Sequence, residues 1–162
     1  MFTGKKVITI HSGQYHISDD PNMVIYTLLG SCIAVCLYDE ENGVGGMNHF
    51  MLPEALDVDE SDLGRFGLES MEIMSGLLLQ MGAEKANLKA KVFGGAKVIN
   101  YTENDIASAN IRFILGYLKE KNIPITAQDL GDKVGRKVYY VLENHSVFIQ
   151  RLGNEVRQNG AE

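Results

Sequence analysis

The chain has 162 residues, 45% hydrophobic and 22% charged, with a formal net charge of −6 and a pI near 5.2. At this length about 70% of the unfolded surface can be buried, so one domain can hold a core without disulfide or metal staples. Phosphate binding needs Lys and Arg gathered on one face, so this acidic chain without a basic cluster is set against nucleic acid.

At the N-terminus, Lys5-Lys6 precede only a short apolar run, without the apolar core and cleavage site of a signal peptide. No apolar stretch reaches the length of a bilayer span, so direct membrane insertion is not expected. The protein reads as soluble and cytoplasmic, where Cys32 and Cys36 stay reduced.

Val7 to His11 and Met23 to Leu28 are β-branched, apolar strand candidates, divided by the turn signals Asp19-Asp20-Pro21-Asn22. Cys32 to Tyr38 is apolar at every position, the pattern of a strand buried on both faces. After the turn Asp39-Glu40-Glu41-Asn42-Gly43, a strand over Val44 to Met51 carries His49 and stops at Pro53. The acidic stretch from Pro53 to Gly64 reads as a solvated loop. Leu68, Met71, Met74, Ser75 and Leu78 recur at helical spacing between Arg65 and Met81, and Gly82 is a natural stop.

Lys89 to Phe93 reads as a short strand running into Gly94-Gly95. A second helix begins near Asp105, capped by Asn104 or Asp105, with Ala107, Ile111, Ile114, Leu115 and Leu118 on one face. Strands follow at Ile123 to Gln128, Arg136 to Leu142 and Ser146 to Arg151, and a polar tail begins at Gly153. The expected class is α/β: a single-domain layered sandwich of two mostly antiparallel or mixed β-sheets with helices on the outside. The domain is expected over residues 1–152, with 153–162 as a polar C-terminal tail.

Gly30-Ser31-Cys32 lies between two apolar strands, and Gly30 permits a sharp turn that can aim successive N–H groups at one point. His49 follows seventeen positions later, in the next strand, where the two side chains can stand side by side as nucleophile and base. The alternatives are a cysteine buried only for packing and a metal site with Cys32, Cys36 and His49, which lacks a clear fourth ligand. Cys36 sits inside the apolar run and reads as a small hydrophobe.

The run from Tyr26 to Asp39, YTLLGSCIAVCLYD, followed by Gly45 to Pro53, GGMNHFMLP, resembles the CheD family of chemoreceptor glutamine deamidases. The similarity continues through Lys91 to Ala96, Ile106 to Asn110, Asp129-Leu130-Gly131 and Gly135 to Val138, covering about Lys5 to Leu152. Ala107 and Asp132 stand where the family usually has glycine.

The resemblance implies a cysteine-dependent protein-glutamine glutaminase with Cys32 as nucleophile and His49 as base. It works through a thioester and needs no metal or organic cofactor. The implied partners are the cytoplasmic region of a chemoreceptor (methyl-accepting chemotaxis protein) and a CheC-type phosphatase. The alternative is an adaptor with little or no catalysis that binds both.

The family's third site member is a Thr six residues before the nucleophile, a place held here by Tyr26, with Thr27 beside it. A one-residue shift along a strand reverses the face. Either an irregularity brings Thr27 to His49, or another group such as the Tyr26 carbonyl orients the ring; Thr27 is the candidate. Of the remaining histidines, His11 and His16 read as solvent-facing or turn residues, and His145 as part of the turn Glu143-Asn144-His145. Gly94-Gly95 is either a tight turn or a close approach to the site.

Overall fold

The computed structural model describes residues 2–51, 65–97 and 106–153. The acidic stretch 53–64, the candidate caps Asn104 and Asp105, and the tail beyond Gly153 lie outside the described residues.

The β-branched and apolar runs form β1 (Lys6–Thr9), β2 (Tyr15–Ser18), β3 (Met23–Leu29), β4 (Ile33–Asp39) and β5 (Val44–Phe50). They are followed by α1 (Arg65–Gln80), β6 (Lys89–Gly94), α2 (Ile106–Glu120), β7 (Ile125–Leu130), β8 (Arg136–Val141) and β9 (Ser146–Arg151). These make two sheets, ordered β1-β3-β8-β9 and β2-β5-β4-β6-β7. The pairs β1–β3 and β6–β7 are parallel and the others antiparallel, so both sheets are mixed.

All seven residues of β4 are buried, because the strand lies between two layers. Ala34, Cys36 and Tyr38 face the first sheet and pack with Ile25, Leu29, Val138 and Tyr140. Ile33, Val35 and Leu37 face the helices and pack with Met71, Met74, Leu78, Ile114 and Leu118. The stack is therefore sheet, sheet, helices, with both helices on the second sheet's outer side. Both end in the same capping geometry. Ala83 N–H donates to the Leu78 carbonyl at 3.0 Å past Gly82, and Ile123 N–H to the Leu118 carbonyl at 2.9 Å past Asn122. Gly82 (φ 108°) and Asn122 (φ 58°) take the left-handed turn this closure requires.

The layered α/β sandwich agrees with the sequence expectation, with three adjustments. β2 was not foreseen: it is a four-residue edge strand paired with β5, in which Ile17 is the sole aliphatic residue. His16 therefore sits half-buried in a strand rather than in a turn. His145 lies in the expected turn but is buried, at φ 61°. No helix among the described residues is long and apolar enough to cross a membrane.

Candidate active site

β3 belongs to the first sheet and β4 to the second, so Gly30-Ser31-Cys32 is the crossing between sheets. Cys32 immediately precedes β4 and shares the facing of Ala34 and Cys36. Its half-buried side chain packs against the core between the sheets. His49 is paired with Ala34 across β4 and β5, which turns its ring into the same intersheet space, where it is buried.

β3 supplies the third group. Its inward positions are Ile25, Thr27 and Leu29, while Tyr26 packs against Tyr139, the rings tilted, on the sheet's outer face. The parity of β3 thus directs Thr27, not Tyr26, toward His49. The Thr27 hydroxyl lies 2.7 Å from His49 Nδ1 and donates to the Ile10 carbonyl at 2.7 Å. A hydroxyl has one proton to give. With that hydrogen directed to the Ile10 carbonyl, Nδ1 must carry the ring's hydrogen and donate to Thr27, which leaves Nε2 as a free base. The Tyr26 carbonyl is occupied by Ile10 N–H at 2.9 Å.

The loop before β2 closes the other side of the site. Gly13 N–H donates to the His49 carbonyl at 2.8 Å, and His49 N–H donates to the Gln14 carbonyl at 3.0 Å. Gln14 Oε1 accepts from His11 N–H at 2.8 Å, holding the loop tight. Burial pushes the Cys32 thiol up, and the nearby Ser12 hydroxyl works in the opposite direction. Burial, with a smaller contribution from nearby His11, holds His49 down to about 4. The resting pair is a neutral thiol and a neutral imidazole. Cys36, fully buried, is pushed far above the ordinary thiol range by burial.

The crossing is held from behind by the segment after β6. Ala96 N–H donates to the Gly30 carbonyl at 3.0 Å, and Gly95 N–H to the Cys32 carbonyl at 2.9 Å. Asn110 Nδ2 on α2 donates to the Ser31 carbonyl at 2.8 Å. Gly94 (φ 113°) approaches so closely that a Cβ would overlap the Cys32 carbonyl oxygen. The double glycine is thus a close approach as well as a turn. The fully buried Arg136 donates to the Gly94 carbonyl at 3.4 Å and to the Gly131 carbonyl at 2.9 Å, and it pairs with Asp129. Sequence reasoning did not single out Ser12, Asn110 or Arg136 for any role at the site. The one available signal was an asparagine on the apolar face of an otherwise amphipathic helix.

Beside Ser12, a groove of about 370 Å³ opens between the β2 edge and α1, lined mainly by Tyr15, Phe50, Met51, Phe66 and Ile73. Met51, Phe66 and Ile73 are exposed there.

The family model described as "CheD chemotactic sensory transduction" matches residues 51–151. A Geobacter sulfurreducens protein named "Probable chemoreceptor glutamine deamidase CheD 1" is 38% identical over 159 residues, 92% of this chain and 79% of that one. A Ruegeria protein of the same name is 37% identical, over 97% of this chain and 86% of that one. The Janthinobacterium protein named "Probable chemoreceptor glutamine deamidase CheD" is 42% identical, over 86% and 70%. Among solved structures, a Neisseria meningitidis protein of the DUF152 family superposes with a TM-score of 0.51 at 10% identity, covering 81% of this chain and 66% of that one. That likeness concerns the fold alone.

Proposed function

The chain belongs to the CheD family, and from that premise we propose that it is a cytoplasmic protein-glutamine deamidase acting on the helical cytoplasmic region of chemoreceptors. The reading rests above all on one observation: the Thr27 hydroxyl, its hydrogen directed to the Ile10 carbonyl, leaves His49 Nε2 unprotonated in the space that Cys32 enters. The names of the relatives supply the substrate class.

The neutral resting pair favours proton transfer coupled to attack. His49 Nε2 takes the Cys32 proton while Sγ bonds to the carboxamide carbon, and the carbonyl π electrons move to oxygen. Backbone N–H groups around Ser31 and Cys32 receive the oxyanion. The oxyanion collapses, the C–N bond breaks, and the leaving nitrogen takes the proton from His49 and departs as ammonia. His49 then takes a proton from water as the oxygen attacks the thioester. The C–S bond breaks, the thiol regains its proton, and glutamate remains. Each turnover replaces a neutral amide with a carboxylate, a charge change that can alter helix packing. The apolar groove beside Ser12 suits the apolar side of a helix that presents a glutamine. A CheC-type phosphatase is the proposed second partner, blocking the site when it docks.

Mass spectrometry of a receptor cytoplasmic fragment tests this. Wild-type protein should convert specific glutamines to glutamate with ammonia release, and Cys32→Ala should convert none. Conversion at the wild-type rate by Cys32→Ala ends the assignment. One observation favours a second reading, an adaptor that binds receptor and phosphatase with little catalysis: burial raises the Cys32 thiol, so the free protein holds no standing thiolate. Binding of the fragment without conversion by wild-type protein would select that reading.

A further inference from the structure

Asn110 is fully buried on the face of α2 that also carries Ala107, Ile114 and Leu118. An amide at such a position incurs a desolvation cost that an apolar side chain would avoid, unless its polar atoms are bonded. Its Nδ2 donates to the Ser31 carbonyl at 2.8 Å. That carbonyl belongs to the peptide unit whose other end is the Cys32 N–H. Among the described residues no peptide bond is cis, and in a trans peptide the carbonyl and the N–H point in opposite directions. α2 packs on the outer side of the second sheet, whereas the Cys32 thiol and the His49 ring occupy the side facing the first sheet. Drawing the Ser31 oxygen toward α2 therefore turns the Cys32 N–H toward the thiol.

Among the described residues, neither the Ser31 nor the Cys32 N–H has a protein acceptor. Meanwhile the carbonyls of Gly30 and Cys32 have donors from the segment between β6 and α2, and that of Ser31 has one from α2 itself. The acceptors of the crossing are tied back, and its donors at Ser31 and Cys32 are left available. This is the arrangement an anion forming on a carbonyl above Sγ requires.

We propose that Asn110 is a positioning residue for the oxyanion hole: by holding the Ser31 carbonyl on the helix side, it keeps the Cys32 N–H aimed at the oxygen of the tetrahedral intermediate. The inference rests on the deamidase reading and adds to it a group that touches neither substrate nor thiol. Two of the three donors behind the crossing, Gly95 N–H and Ala96 N–H, are backbone groups, so Asn110 is the one a substitution can remove. Gly95 itself must remain glycine, since a Cβ there would press on Ile111 one residue along α2.

The experiment separates oxyanion stabilisation from thiol chemistry. Alkylation of Cys32 by iodoacetamide displaces iodide from a saturated carbon and builds no oxyanion, whereas deamidation does. In Asn110→Ala and in the near-isosteric Asn110→Asp, kcat for ammonia release from a receptor fragment should fall about 10- to 100-fold. That is less than the roughly 100- to 1000-fold that follows loss of an oxyanion-hole donor itself. KM and the alkylation rate at a fixed alkaline pH should stay within about twofold of wild type. A purely structural clamp predicts parallel loss of alkylation and deamidation, and that result overturns the proposal. Undiminished kcat in either folded variant does the same.

A measurement on wild-type protein covers the case in which neither variant folds. A peptide aldehyde mimicking glutamine would form a hemithioacetal with Cys32, and the Cys32 amide proton should move downfield as it binds the new oxyanion. An unmoved Cys32 resonance with the adduct formed overturns the proposal. Should wild-type protein release no ammonia from any receptor fragment, the deamidase reading fails first; the aldehyde measurement still reports where the amide points.

Discussion

His49 and His145 stand near opposite ends of β4 and share a description: buried, lowered by burial from the ordinary imidazole range, and with Nδ1 2.7 Å from a hydroxyl. The hydroxyls differ. Thr27 already directs its hydrogen to the Ile10 carbonyl and can only accept from His49, so the free nitrogen of that ring is a base. Tyr140 has no second acceptor among the described residues, and burial pushes its pKa well above the phenol range, so it keeps its proton and donates to Nδ1 of His145. That places the His145 hydrogen on Nε2. Their surroundings differ too. His145 stacks on Tyr38 at 4.7 Å, and its carbonyl accepts from Lys91 Nζ at 2.6 Å. His49 shares its space with a half-buried thiol beside an open groove. Burial and a hydrogen-bonded Nδ1 do not by themselves make a catalytic histidine. The direction of one hydrogen bond and the neighbour of the other nitrogen are what set His49 apart as the proposed base.

Exchanging each ring for alanine should break the comparison most visibly. His49→Ala removes the proposed base and should reduce ammonia release by about 100- to 10,000-fold, the range of general-base contributions. His145→Ala should leave kcat near wild type while lowering unfolding stability by about 1–3 kcal/mol, since it deletes a buried, stacked ring. Steady-state ammonia assays and denaturant melts on both variants decide this. A folded His145→Ala protein as inactive as His49→Ala would erase the distinction.

The hydroxyls give a subtler version. Thr27→Val keeps shape and burial but removes the acceptor for Nδ1–H, freeing the ring to rotate or to take the other tautomer. A loss of about 10- to 100-fold in kcat is expected, the scale on which removing a partner that orients a histidine is felt. Tyr140→Phe removes one buried hydrogen bond and should cost about 1 kcal/mol of stability with no change in kcat. If Thr27→Val behaves like Tyr140→Phe, the tautomer argument is wrong.

The two histidines also mark what was legible before the fold was known. β4 and the helices could be read because apolar periodicity reports burial directly, and β4's unbroken run correctly placed it between layers. Cys32 and His49 are candidates through local spacing and resemblance, both carried by neighbouring strands. What escaped depends on contacts distant in sequence. The parity that chooses Thr27 over Tyr26 follows from which face of β3 meets the second sheet. Asn110 reaches Ser31 across 79 positions. β2 is short and weakly apolar and exists because β5 offers an edge to pair with. His145 looked like a turn residue since nothing nearby in sequence told of Tyr38 or Lys91 above it.

The smallest effects are in pH, and they separate the two rings once more. Both histidines hold protons less tightly folded than unfolded, so the unfolded chain binds more protons below the ordinary imidazole range. Their contribution to stability is therefore complete above about pH 6.5 and declines as pH falls, for His49 toward about 4. The slope is at most about 1.4 kcal/mol per pH unit for each ring. In the proposed reaction only His49 matters, because Nε2 must be unprotonated to receive the thiol proton. The acid limb of kcat/KM should therefore fall near pH 4 rather than near the 6.5 of a free imidazole. His145→Ala should flatten part of the stability slope while leaving that acid limb in place, and His145 would then contribute to the fold and not to the chemistry. An acid limb near 6.5 in the wild-type profile would mean that the site does not hold His49 neutral, and that the base is set by something other than its burial beside Thr27.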